Sequence, residues 1–174
     1  MLRFLLIFLC LANCTLAQNI FDLARNGTVK QMQAHLKKHP EELHLISEYG
    51  ASPFLLAAYR GNNEVAKLLL QKGADIHYCY PEGSAIYALI YKNNLELLDM
   101  LLQKGVNPND TCQFEQLGYP LHFALSLQRI EVIQLLLQFN LDLSIQDPQG
   151  RSVAQLLALY NNPKLNELIY THEK

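Results

Sequence analysis

Short apolar clusters, separated by polar turns, recur along the chain at a nearly constant interval. A cluster of three leucines followed by Gln-Lys-Gly occupies residues 68–73, and its counterpart at 100–105 lies 32 residues further on. A related cluster occupies residues 135–140. Turn glycines keep the same interval, at steps of 33, 35 and 32 residues, and they are Gly50, Gly83, Gly118 and Gly150. Self-similarity at a fixed period of this size is typical of repeat architectures.

Each period divides into two short predicted helices. Ser52 at an N-cap position and Pro53 at the first helical position predict the start of one helix, which Gly61 is expected to end. Residues 64–72 predict a second helix with leucines on one face and polar side chains on the other, ended by a left-handed turn at Gly73. Neither helix is long enough to persist alone in water, so neighbouring units have to cover the apolar faces. The fold class is therefore predicted to be all-α.

Two segments carry a recognisable repeat motif. Residues 52–58, Ser-Pro-Phe-Leu-Leu-Ala-Ala, and residues 119–124, Tyr-Pro-Leu-His-Phe-Ala, resemble the Thr-Pro-Leu-His-x-Ala motif of ankyrin repeats. Residues 84–87 and 152–155 resemble it less closely, and the first copy, over residues 20–39, lacks it. The resemblance implies an ankyrin-repeat solenoid of about five helix-turn-helix repeats with projecting loops.

The chain is predicted to consist of a signal peptide followed by one repeat domain. Residues 1–17 contain the cation Arg3, an apolar run over residues 4–12 and a small-x-small pattern before Gln18, which together are typical of a secretory signal. The apolar run is about half as long as a membrane-spanning helix requires, and the alternative is a buried N-terminal helix. The repeat domain covers residues 18–174, with repeats at about 18–47, 48–80, 81–115, 116–147 and 148–174. The first and last repeats carry the polar outer faces that the ends of a stack require.

Composition and charge narrow the functional classes. Half of the 174 residues are apolar, 17% are charged and the formal net charge is −2, which excludes a disordered chain. The 14 Lys and Arg are outnumbered by 16 Asp and Glu, so no nucleic-acid partner is expected. Beyond the signal, no apolar stretch approaches membrane length. We expect an exported protein without membrane insertion after signal removal, monomeric on its own, in a bacterial periplasm by preference or in an extracellular space.

The sequence offers no catalytic constellation. It contains no Gly-rich phosphate loop, no Gly-x-Ser-x-Gly elbow and no histidine at metal-ligand spacing from a cysteine or carboxylate. His35 and His39 are four residues apart, but Lys37 and Lys38 beside them would repel a cation, which favours a solvated face. The ankyrin resemblance implies a structural role for His122, in hydrogen bonds between the turns of neighbouring repeats. We therefore expect a non-enzymatic protein with no cofactor and no metal.

Two cysteines remain once the signal is removed. Cys79 and Cys112 both fall in the projecting loops that the resemblance implies. The loop over residues 106–116 is longer than its siblings and could bring the two within the reach of a disulfide. In an oxidising compartment both a Cys79–Cys112 bridge and two free thiols remain open.

Two segments, Asn26-Gly27-Thr28 and Asn109-Asp110-Thr111, match the pattern for glycosylation. The match would matter only in a eukaryotic secretory pathway, and chance is the simpler explanation.

The ankyrin resemblance also implies where a partner would bind. In such stacks the loop tips and the exposed ends of the first helices form a concave surface. The positions that this assigns here are Tyr49, Tyr59, Arg60, Tyr80, Tyr91, Lys92, Leu127 and Tyr160. Tyr and Arg are enriched at interface hot spots, although some of these tyrosines could instead pack between repeats.

The functional expectation is a protein-interaction module whose partner is a protein of unknown identity. The partner would be one that this chain stabilises, inhibits or neutralises as an immunity protein does. The alternatives are a secreted effector that acts on a host protein and, less favoured, an enzyme or small-ligand binder that uses the groove.

Overall fold

Ten short α-helices and one 3₁₀ helix make up the described part of the chain. The computed structural model describes residues 19–79, 83–109, 112 and 118–172, so the expected signal peptide at 1–17 lies outside it. The helices are α1 (Ile20–Asn26), α2 (Val29–Lys38), α3 (Pro53–Arg60), α4 (Asn63–Gln71), α5 (Ala85–Lys92), α6 (Leu95–Gln103), α7 (Pro120–Ser126), α8 (Ile130–Leu136), α9 (Val153–Tyr160) and α10 (Pro163–His172), with the 3₁₀ helix at Pro40–His44. Within the described ranges, no helix is both long and apolar enough to cross a membrane.

The helices form pairs that stack in chain order. One pair falls in each of the five expected repeats. The first helices of the pairs are the inner helices, and each packs on the next: α1 on α3, α3 on α5, α5 on α7 and α7 on α9. The second helices are the outer helices, and α2 packs on α4, α6 on α8 and α8 on α10. Because each pair contacts its neighbours in sequence, the molecule is a linear helical solenoid, as predicted.

Local sequence explains where the helices of the second repeat begin and end. The hydroxyl of Ser52 accepts a hydrogen bond from the backbone of Leu55 at 3.1 Å, which caps α3. Gly61 ends α3 in a left-handed conformation, with φ at 72°. The helix α4 begins and ends one residue earlier than predicted, because Lys72 already forms its C-cap before the left-handed Gly73. Three other inner helices also have a left-handed residue just beyond them. These residues are not glycines, and they are Asn93, Gln128 and Asn161.

The core runs along the inner helices. Residues 85–90 of α5 are all buried, because α5 has an inner helix on each side and an outer helix behind it. The outer helices bury one face, as Leu68 and Leu69 show in α4. At the N-terminal end of the stack, the residues that α2 buries are Met32 and Leu36. The remaining side chains of α2 are mostly polar and exposed.

Polar groups tie the inner turns of neighbouring repeats. The His122 ring is 4% exposed, and its Nδ1 accepts a hydrogen bond from the Tyr119 backbone at 3.3 Å. Its Nε2 lies 3.2 Å from the carbonyl oxygen of Ile145, to which it donates, which links α7 to the loop before α9. This geometry matches the structural role that the motif implied. Burial lowers the pKa of His122 below its ordinary value, although the hydrogen bond to Ile145 and the charge of Asp147 act in the opposite direction.

A second polar network aligns the outer helices α4 and α6. The side-chain amides of Asn63 and Asn94 bond to each other, and Asn63 also donates to Glu96 at 2.7 Å. Lys67 pairs with both Glu64 and Glu96. The hydrogen bonds from Lys67 and Asn63 lower the pKa of Glu96. Because these groups are largely solvated, their hydrogen bonds and ion pairs add little to the stability of the fold. Their main effect is to align α4 with α6.

Because the imidazole of His122 is buried, we expect the stability of the fold to depend on pH. The unfolded chain binds more protons than the fold between the lowered pKa of His122 and its ordinary value of about 6.5. We expect the contribution of His122 to the free energy of unfolding to be complete above the ordinary pKa of about 6.5 and to be lost as the pH falls below it. Thermal unfolding at neutral and mildly acidic pH measures the loss. His122→Gln keeps one acceptor and one donor but does not titrate, so it should lose less stability on acidification. An equal loss in both proteins would contradict the assignment.

Candidate partner-binding face

Two tyrosines from neighbouring repeats stack on each other at the surface. Tyr59 lies in the last turn of α3 and Tyr91 in the last turn of α5. Their ring centroids are 6.2 Å apart and their planes differ by 7°. The residues before them in both helices are largely buried, whereas Tyr59 is 42% exposed and Tyr91 is 47% exposed. The repeat period therefore places two rings side by side in solvent-accessible positions.

A lysine completes this aromatic surface. The Lys92 ammonium lies 4.7 Å from the ring centroid of Tyr59 and 5.5 Å from that of Tyr91, within the range of cation–π attraction. We call Tyr59, Tyr91 and Lys92 the tyrosine–lysine cluster. Arg60, the last residue of α3, is also exposed. The cluster thus combines a broad aromatic area with positive charge.

Arg129 extends this face towards the fourth repeat. Its guanidinium donates a hydrogen bond to the backbone oxygen of Tyr91 at 3.0 Å. Sequence reasoning missed Arg129. A signal was available, because the residue at this position of the repeat, just beyond the left-handed turn, is asparagine at Asn62, Asn94 and Asn162.

The other predicted binding residues that the structure describes lie outside the tyrosine–lysine cluster. Tyr49 is 76% exposed, but it lies in the loop before α3, at the opposite end of that helix from Tyr59. Leu127 and Tyr160 are partly buried and pack against the core. The alternative that some of these side chains pack between repeats therefore describes Leu127 and Tyr160. Tyr80 lies outside the described residues.

The structure joins Cys79 and Cys112 by a disulfide. Their Cα atoms are 5.4 Å apart and 33 residues separate them in the sequence. The bridge connects the loop after α4 with the loop after α6, and the chain reaches it through a left-handed conformation at Cys112. It links the second and third repeats, which carry the tyrosine–lysine cluster.

One buried carboxylate at the end of the fourth repeat has a structural explanation. Asp147 is 7% exposed and accepts hydrogen bonds from the backbone of Gln149 and Arg151 and from the Arg151 guanidinium. Burial alone would raise the pKa of Asp147, but the hydrogen bonds, led by that of the Arg151 side chain, outweigh it and lower the pKa. In the equivalent loop before α3, the Ser47 hydroxyl accepts a hydrogen bond from the backbone of Ala51. These side chains therefore fix the projecting turns.

A polar cluster in the first repeat was missed by sequence reasoning. Glu42 Oε2 lies 2.7 Å from His35 Nε2, and Glu41 Oε1 lies 3.6 Å from His39 Nδ1. The sequence favoured a solvated histidine face there. The available signal was Pro40, which begins the 3₁₀ helix directly after α2 and returns the next two residues towards the histidines.

The comparisons with known proteins agree with this repeat geometry. A family model described as "Ankyrin repeat" matches residues 49–80, and one described as "Ankyrin repeats (many copies)" matches residues 85–137. The helical stack is an ankyrin-repeat solenoid. A putative ankyrin repeat protein of fowlpox virus (strain NVSL) is 25% identical over 124 residues, which is 71% of this chain. The chain spans 28% of the length of that relative. The ankyrin fold class predicted from the motifs is confirmed, and ankyrin repeats generally mediate protein–protein interaction.

The disulfide predicts a loss of stability on reduction. Closing a loop of 33 residues stabilises a fold by about 3–4 kcal/mol through the unfolded chain. We expect urea unfolding to show a loss of this size with reductant, or in the double variant Cys79→Ser/Cys112→Ser. The double variant is the control, since reductant should not destabilise it further. Alkylation of the unreduced protein, followed by peptide mass measurement, should leave both cysteines unlabelled. Label on both would instead establish two free thiols.

Proposed function

We propose that this protein is a non-enzymatic module, exported from the cytoplasm, that binds a partner protein through the concave face of its ankyrin stack. The single observation that carries the proposal is the exposed tyrosine–lysine cluster at one face of adjacent inner helices. Exposed aromatic rings in contiguous positions are the side chains that most often dominate the binding energy of interfaces. Ankyrin repeats, moreover, generally serve protein–protein interaction.

Preorganisation supports this face as a binding surface. Ala57 and Ala58 precede Tyr59 in α3 and are fully buried, and Leu89 and Ile90 precede Tyr91 in α5 and are fully buried too. The backbone beneath both rings is therefore anchored in the core. The rings also restrict each other by stacking. This chain would therefore lose little conformational entropy when a partner binds, which favours affinity.

The charge of the face indicates the chemistry of the partner. Lys92 lies over the rings and Arg60 is exposed beside them. A partner segment that presents an apolar or aromatic group next to a carboxylate would satisfy both features. We propose that the partner is a protein of the same compartment, a bacterial periplasm by preference, which this chain stabilises, inhibits or neutralises.

Removing both rings tests the face. We expect Tyr59→Ala/Tyr91→Ala to fold with little change and to weaken partner binding by more than about 2 kcal/mol, because a large desolvated contact area is lost. Affinity capture from periplasmic extract and culture medium, followed by titration of the captured partner, measures the effect.

Tyr170→Ala is the matched control for that experiment. Tyr170 is 51% exposed but belongs to the terminal outer helix α10 rather than to an inner helix. The control should bind as tightly as the wild type. The proposed face would be rejected if the double variant kept full affinity, or if the control lost as much.

Export has its own test. We expect the protein recovered from cells to begin at Gln18, because cleavage of the signal follows the small-x-small pattern before it. Cell fractionation followed by mass measurement of the intact protein determines both compartment and N-terminus. Recovery of a chain that still begins at Met1 from the cytoplasm would exclude export.

A further inference from the structure

The first repeat contains a cluster of histidine and glutamate side chains that the interaction face does not use. His35 lies in the last turn of α2, His39 follows α2 directly, and Glu41 and Glu42 lie in the 3₁₀ helix. Ligand atoms of His39, Glu41 and Glu42 all lie within 4.8 Å of one another. His35 Nε2 joins them through Glu42 Oε2, at 2.7 Å. The two histidine rings are 5.2 Å apart.

We propose that His35, His39, Glu41 and Glu42 bind one divalent transition-metal ion of the zinc type. Imidazole nitrogens and carboxylate oxygens are ligands that Zn²⁺ takes at about 2.0–2.2 Å, in tetrahedral geometry. Ligand atoms of such a site lie about 3.4 Å apart, so the ligand atoms of His39, Glu41 and Glu42, which lie within 4.8 Å of one another, require movements of about 1 Å. His35 joins as the fourth ligand by exchanging its 2.7 Å contact with Glu42 for a bond to the ion. Side-chain rotations at partly solvated positions supply movements of that size.

The charges within the cluster suit a divalent cation. Two carboxylates and two neutral imidazoles together carry the −2 charge that balances it. Some other carboxylates of the described residues pair with lysine or arginine, as Glu64 does with Lys67 and Asp147 does with Arg151. Glu41 and Glu42 differ, because the basic side chains that contact their carboxylates among the described residues are the imidazoles of His39 and His35.

The neighbouring lysines do not occupy the cluster. Lys37 lines a cavity of about 490 Å³ on α2 together with Leu36, Leu43 and Lys72, and that lining includes neither histidine. Lys38 is exposed to solvent, where its charge is screened. The repulsion between these two lysines and a bound cation is therefore weaker than their positions in the sequence alone imply.

The cluster is also accessible. The side chains of His35 and Glu42 are 16% and 26% exposed, whereas those of His39 and Glu41 are 50% and 69% exposed. Two ligands are thus held at the surface of the core, and two can close over an ion that enters from solvent. Bound metal would connect the end of α2 to the 3₁₀ helix and so strengthen the capping repeat.

Metal titration of the full chain tests the site. Cys79 and Cys112 are already joined, and any thiol of Cys10 or Cys14 that remains in the full chain is alkylated first, so that cysteine cannot bind the ion. We expect Co²⁺ to bind at one ion per chain with the visible absorption of a tetrahedral site, Zn²⁺ to displace it, and Zn²⁺ to raise the unfolding temperature. Ca²⁺ should bind far more weakly, since it prefers six to eight oxygen ligands.

Variants distinguish a specific metal site from nonspecific attraction of cations to the protein surface. His39→Ala and Glu41→Gln change exposed positions and should each weaken Zn²⁺ binding by at least about tenfold. His44→Ala is the matched control, because His44 is an exposed histidine of the same 3₁₀ helix that lies outside the cluster. Absence of saturable Co²⁺ binding, equal binding of Ca²⁺, wild-type affinity in both cluster variants, or an equal loss in His44→Ala would each overturn the proposal.

Discussion

The side-by-side packing of the inner helices is the constraint on which the rest of the structure depends. A helix of seven or eight residues is too short to persist alone, and α5 buries all of residues 85–90. That burial exists only because α3 and α7 flank α5 in the stack. Stability is thus shared between neighbouring units, and the outermost units need polar surfaces where no neighbour follows. The helix α2, whose buried residues are Met32 and Leu36, meets this need at one end.

The same constraint creates the tyrosine–lysine cluster. Units that pack in register bring equivalent positions into contact, so Tyr59 and Tyr91, which are 32 residues apart in sequence, stack within 6.2 Å. Lys92 and Arg129 then add charge and a hydrogen bond from their own repeats. Single substitutions at the helix ends would change a face assembled in this way without altering the buried positions. The scaffold and the proposed binding face are therefore separable.

The sequence predicted the fold through features that act locally. The Ser52-Pro53 cap, the left-handed Gly73 and the leucine cluster act within one unit, and the glycine and the leucines recur in the next. The exposure of Tyr59 and Tyr91 followed from their positions in the unit. The partial burial of Leu127 and Tyr160 did not, because it depends on how neighbouring units fill the space around them. The approach of Glu41 and Glu42 to the histidines depends on the 3₁₀ turn after Pro40, and the meeting of Cys79 with Cys112 depends on two loop conformations, neither of which periodicity specifies.

The position of the Cys79–Cys112 bridge has a consequence for how the molecule comes apart. In a linear array, fraying starts at the termini and advances inward one unit at a time, because each lost unit exposes its neighbour. The covalent tie holds units two and three together, so fraying from either direction is resisted there. Those are the units that carry Tyr59 and Tyr91. A protease that trims loosened ends would therefore reach the tyrosine–lysine cluster last.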